Sequence, residues 1–188
     1  GLFEDEVFEI IMQERGIDDP EHFLNPTEDD LLRLDDLKNT DKAYGLVMSA
    51  VNEEKRIAVH FDTDTDGITS GVIMTRYLKN MAENPVDVYI NRGKQHGLAN
   101  QDIAKFYGYD LLIVVDSLDK DETQYKDLKE TGVDVIVLDH HAIDPDVPYD
   151  NYCTLVSSQR EYENPQLSGA GVVWKFCKYI DEQNGTDY

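Results

Sequence analysis

At 188 residues the chain has the length of one ordinary globular domain, able to bury a core without disulfide or metal staples. Its 39 acidic against 17 basic residues give a formal charge of −22, which repels nucleic acid and anionic membrane surfaces unless cations intervene. Cys153 and Cys177 lie far apart without CxxC spacing and read as small buried hydrophobes, excluding a disulfide framework or zinc site. No apolar run approaches the roughly 20 residues that span a bilayer, and no basic-then-apolar signal segment opens the chain, so a cytoplasmic protein with no membrane partner is expected. The chain opens GLFEDE without a Met, so a segment removed from either end would leave no mark in it.

Strands and helices alternate after a helical preface. Phe3, Val7, Ile10 and Ile11 recur at helical spacing over residues 3–14, and Gly16 is placed to end that helix. The stretch DDPEHFLNP reads as a loop, and a second helix is predicted over about 40–52 with Ala43, Leu46, Val47 and Ala50 on one face. Short β-branched runs follow at 56–61 (RIAVHF), 86–90 (VDVYI), 110–115 (DLLIVV), 134–138 (DVIVL) and 152–158 (YCTLVSS). Between them lie helix candidates at 68–81, 99–106, 122–130 and 170–183. Continuous apolar strands separated by helices predict an α/β fold, a mostly parallel sheet flanked by helices with right-handed crossovers. The acid runs FEDEVFE, NPTEDDLLRLDD and DKDETQYKD read as solvated faces and helix starts.

In open parallel sheets the functional crevice lies beyond the carboxyl ends of the strands. Strand 56–61 contains His60 and runs into Asp62, Asp64 and Asp66; strand 110–115 ends in Asp116; strand 134–138 ends in Asp139, His140 and His141. Carboxylates crowded on one edge repel one another, and a hard divalent cation bound by oxygen with some imidazole relieves them, which suits manganese or magnesium. Gly67 would permit a sharp exit into the following helix, with Thr69 or Ser70 as its cap. For DTDTDG alone an Asx-rich turn is the alternative, with a faint likeness to a calcium loop; for LDHH alone, a pair of satisfied buried histidines.

Together these stretches resemble the DHH phosphoesterase superfamily, named for a motif present here as Asp139-His140-His141, and within it the RecJ-like single-strand-specific exonucleases. HFDTDTDGITSG is similar to the first motif, LLIVVDS to the second and VIVLDHH to the third. ERGIDDPEHFLNP, YINRGKQHGL and LSGAGVVWKF resemble further RecJ segments, so the likeness spans nearly the whole chain.

The resemblance implies a Rossmann-like DHH domain over residues 56–188, with residues 1–55 a helical segment packed on it. It makes His60, Asp64, Asp66, Asp116, Asp139 and His140 the metal candidates for Mn2+ or Mg2+, two ions in the complete enzyme, with Asp116 bridging. Asp62 matches another acidic position and joins the metal candidates, as a ligand or as a support to one, and His141 is expected to face the scissile phosphate; Asp116, His140 and His141 form the expected catalytic set. Arg92, Lys94, His96 and Arg160 are candidates for DNA phosphates, with solvated surface as the alternative. The implied activity is two-metal hydrolysis of single-stranded DNA, 5′-to-3′, releasing mononucleotides in DNA repair or recombination, with replication or repair proteins as further partners.

A fourth acidic motif and a DHH-associated C-terminal domain, both expected of the family, are not in these residues. The resemblance therefore implies the N-terminal catalytic lobe of a larger nuclease, weak or inactive alone. NRGKQHGL is also a residue shorter than the family form between Arg and Gly-Leu. Two other functions stay open: a DHH phosphodiesterase for oligonucleotides or cyclic dinucleotides, and a non-catalytic DHH-like partner of replication proteins.

Overall fold

The computed structural model describes residues 6–91, 96–99 and 101–188. Residues up to Arg33 and residues from Leu34 onward form two compact units.

In the first unit, helix α1 spans Glu6–Glu14; Phe3, which the sequence places on it, lies outside the described residues. Gly16 ends it as expected: at φ +68°, its N–H reaches the Gln13 carbonyl at 3.0 Å and the Ile17 N–H reaches that of Met12 at 2.9 Å. This is the paired carbonyl capture of a left-handed helix stop. DDPEHFLNP is not all loop. Pro20–Leu24 forms a short helix, α2, because Asp19 accepts the His22 N–H at 3.0 Å and Pro20 occupies the first turn, where its missing N–H costs nothing. Downstream, Asp30 pairs with His22 Nε2 at 2.6 Å and accepts the Thr27 N–H at 2.6 Å.

The second unit begins with α3 (Thr40–Asn52), whose Ala43, Val47 and Ala50 are buried. Strands β1 (Ile57–Phe61), β2 (Val86–Ile90), β3 (Leu111–Val115), β4 (Asp134–Asp139) and β5 (Thr154–Ser157) form one fully parallel sheet in the order β2-β1-β3-β4-β5. β1 and β3 are buried at every position, as the unbroken apolar runs require of strands covered on both faces. Helices α4 (Thr65–Met81) and α6 (Gly169–Asn184) pack on each other and, with α3, against the sheet. α5 (Thr123–Glu130) packs on β4 at a core containing Leu98, Phe106, Leu112, Val114, Leu128, Val135 and Val137.

Two helix predictions needed adjustment for local reasons. α4 starts at Thr65 because Asp64, rather than Thr69 or Ser70, is its cap, accepting the Gly67 N–H at 2.8 Å. Gly67 is inside the helix, where a Cβ would stand 2.7 Å from the Asp62 carbonyl oxygen, so close approach and not a left-handed turn calls for glycine. The helix expected over 99–106 reduces to a 3-10 turn at Ile103–Phe106. The amide N–H groups of Leu98 and Ala99 donate to the Asp119 carboxylate at 2.8 and 2.9 Å, and the short turn is capped further on by Asp102, which accepts the Ala104 N–H at 3.2 Å. Cys153 and Cys177 are buried free thiols. No helix among the described residues is long and apolar enough to cross a membrane.

Candidate metal centre

The sheet order reverses direction between β1 and β3, which opens a crevice beyond their carboxyl ends. Register decides what fills it. Ile90 pairs with Phe61, Phe61 with Val115 and Val115 with Leu138. The next residue of each strand or its exit, Asn91, Asp62, Asp116 and Asp139, therefore forms a polar row across four strands, and all four are buried.

Asp116 is at the centre. It leaves β3 at φ +53°, a left-handed conformation uncommon outside glycine, and is 1% exposed. Its Oδ1 is buried without a hydrogen-bond partner. The His140 Nε2 stands 3.2 Å from that oxygen, close enough for charge attraction but outside hydrogen-bond alignment. Burial and the neighbouring Asp66 and Asp139 charges push the Asp116 carboxyl up to about 8.

His140 Nε2 also lies 3.4 Å from Asp66 Oδ2, which brings the exits of β1, β3 and β4 together. Asp66 is fixed by the start of α6: its two oxygens accept the Gly169 and Ala170 N–H groups, each at 2.8 Å. A Cβ on Gly169 would fall 2.3 Å from Asp116 Oδ1, so only glycine lets α6 approach this closely. Ligating atoms of Asp116, His140 and His141 lie within 4.8 Å of one another.

The other candidates take distinct places. Asp139, fully buried, accepts the backbone N–H of His141 at 3.2 Å and lies 2.9 Å from its Nδ1, so its carboxylate is turned to His141. Asp64 is exposed and serves as the α4 cap. Asp62 accepts from Asn91 Nδ2 and from Ser117 Oγ at 2.7 Å, and its other oxygen meets His96 Nδ1. That pair brings His96 to the crevice, its ring 6.0 Å from that of His141. His60 is fully buried beneath Phe106, its Nε2 3.1 Å from Asn91 Oδ1 and its Nδ1 without a partner; burial holds its pKa down to about 4. Arg160 is not brought to this cluster: its guanidinium grips Asp150 with two hydrogen bonds, the shorter 2.5 Å. Arg92 and Lys94 lie outside the described residues.

The sequence reading missed Asn91, Ser117 and Asp119. Asn91 was readable as the polar residue ending a strand, and Asp119 as a second carboxylate three positions after Asp116; neither signal says what the side chain touches.

A divalent cation fits these residues. A buried, unpartnered carboxylate oxygen and a buried, unpartnered imidazole nitrogen each cost about 1–3 kcal/mol when left unsatisfied, and both are ligand atoms for a hard or borderline metal. A cation would also favour the ionised form of Asp116, which the surrounding carboxylates oppose.

Comparison with known proteins adds to this geometry. The SPbeta prophage-derived protein of Bacillus subtilis (strain 168) that bears the name single-strand DNA-specific exonuclease YorK is 31% identical over 176 residues, 92% of this chain and 30% of its own length. A crystal structure of exonuclease RecJ bound to manganese superposes with a TM-score of 0.73 at 28% identity, covering 84% of this chain and 41% of that one. RecJ from Thermus thermophilus in complex with Mn2+ gives a TM-score of 0.74 at 27% identity, covering 94% of this chain and 25% of that one. The chain thus spans about a third of the length of this curated relative from Bacillus subtilis. Residues 56–188, which supply every side chain of the polar row and of the cluster around Asp116, match the model of the DHH family, N-terminal domain, and the chain belongs to that family.

Proposed function

We propose that the chain carries the catalytic domain, over residues 56–188, of a metal-dependent exonuclease acting on single-stranded DNA with 5′-to-3′ polarity. The observation that carries this reading is the convergence of Asp66, Asp116 and His140 from three strand exits around a buried carboxylate oxygen that no protein group satisfies. Similarity to proteins named as single-strand DNA-specific exonucleases supports the substrate class.

Asp66, Asp116 and His140 would hold one ion, with His60 and Asp64 the further candidates for a second. Manganese or magnesium bound there supplies Lewis-acid polarisation of the phosphate and a nucleophile at neutral pH. His141 supplies a protonated imidazole, kept charged by Asp139, to a phosphoryl oxygen gaining negative charge. Asp139 orients that ring, and Asp62 holds His96 at the mouth of the crevice. Arg92 and Lys94 would meet the DNA backbone, and the metals would offset a net charge that otherwise repels it. The mononucleotide product, a role in repair or recombination, and a DHH-associated domain closing the groove complete the proposal.

The test is digestion of end-labelled single-stranded DNA, alongside a cyclic dinucleotide, by the protein with any segment that follows Tyr188. Manganese-dependent loss of DNA from the 5′ end, abolished in Asp116→Ala, is expected. Cleavage of the dinucleotide alone, or an active Asp116→Ala variant, would overturn it.

A further inference from the structure

Asn91 takes no part in the expected ligand set, yet it is 2% exposed and sits in the polar row at the exit of β2, beside Asp62 at the exit of β1. Its hydrogen bonds determine where the proton of a neighbouring imidazole sits. Asn91 Nδ2 meets Asp62 Oδ1 and, at 3.2 Å, the Gly97 carbonyl oxygen. A backbone carbonyl can only accept, so the amide nitrogen must face Gly97 and the amide oxygen must face the other way. On that other side are His60 Nε2 at 3.1 Å and Gln101 Nε2. Gln101 is itself oriented, because its Oε1 receives Lys105 Nζ at 2.6 Å and an ammonium can only donate. Asn91 Oδ1 is an acceptor, so His60 Nε2 carries the hydrogen.

The neutral ring has one N–H, which leaves Nδ1 as a bare lone pair. That atom is the one buried without a partner. We infer that Asn91 is a positioning residue that locks His60 as the Nε2–H tautomer and so presents Nδ1 as an unprotonated donor to a divalent cation. The inference rests on the metal reading above. The physical logic is general: a ligating histidine is set by the hydrogen bond its other nitrogen makes, and here the acceptor is an amide held by an acidic neighbour and a backbone carbonyl. The same amide joins His60 to Asp62 and to the Gly97 backbone, so one side chain ties ligand tautomer to the segment bearing His96.

The test is nitrogen-15 NMR of the imidazoles in metal-free protein, with five histidines to resolve and His60 assigned from His60→Gln. His60 is expected to give a pyridine-type Nδ1 and a pyrrole-type Nε2. In Asn91→Ala, or in Asn91→Leu should the first not fold, the tautomers mix and manganese affinity by calorimetry falls at least tenfold. An Nδ1–H ring in the unaltered protein overturns the inference, as does a single Nε2–H form with unchanged affinity in the Asn91 variants. Either result leaves the metal reading intact if Asp116→Asn still abolishes binding. Absence of manganese binding by the unaltered protein overturns both.

Discussion

The carboxylate of Asp139 grips His141 twice, 2.9 Å from ring Nδ1 and 3.2 Å from the backbone N–H. That hydrogen bond first, then the Asp139 and Asp116 charges, raise the His141 pKa to about 9 against the opposing effect of burial. With Nδ1 committed to Asp139, only Nε2 is free to meet a phosphate or an ion. We expect His141→Ala to lower kcat by about 10²–10³, the range for losing one group that stabilises developing charge, with manganese affinity near normal. His140→Ala should lose metal affinity and turnover together. Calorimetry beside single-turnover cleavage separates the two; equal metal loss in both variants would make His141 a ligand.

Gly169 and Asp116 give a test without touching any candidate ligand. A methyl group on Gly169 would stand 2.3 Å from Asp116 Oδ1, so that carboxylate or the start of α6 must shift. Gly169→Ala should weaken manganese binding about 10–100-fold, as displaced ligand supports do. Wild-type affinity in a folded variant would show that Asp116 need not occupy its observed position.

Asp119 offers a pH test at a residue outside the expected ligand set. Burial pushes its carboxyl from the ordinary 3.8 up to about 6, although N–H donors from Leu98 and Ala99 favour its ionised form. The folded protein therefore holds this proton more tightly than the unfolded chain does. The resulting stability is fully present below about pH 4 and is lost as pH rises through about 6, at most about 3 kcal/mol. In urea unfolding, the stability of the unaltered protein relative to Asp119→Asn should decline between those values and level off above them. A constant difference would rule out the raised pKa.

Charge reversal predicts how the protein meets DNA. At −22 the chain should bind single-stranded DNA feebly in chelator and more strongly with manganese or calcium, with a shallow salt dependence because few side chains neutralise phosphates. Filter binding across a salt series checks this. A steep slope persisting in chelator would place the contact on a basic surface instead.

The layers and the chemistry of the edge were legible in the linear pattern of residues. The unbroken apolar runs of β1 and β3 required strands covered on both faces, whereas edge strand β2, interrupted by Asp87, leaves Val88 and Ile90 exposed; Asp62, Asp64, Asp66, Asp116, Asp139, His140 and His141 could be assigned to strand exits from the runs preceding them. Register and partnership came from the folded arrangement alone. Pairing of Ile90, Phe61, Val115 and Leu138 lines up Asn91, Asp62, Asp116 and Asp139, residues separated by up to 77 positions. Local backbone geometry, which composition does not report, gives Asp64 to a helix cap, Asp139 to His141, and Arg160 to Asp150. A one-dimensional pattern reports which residues can reach an edge. Which oxygen is left without a partner depends on how neighbouring strands and the start of α6 close around it, and that is why Asp116 Oδ1 and His60 Nδ1 emerge only in three dimensions.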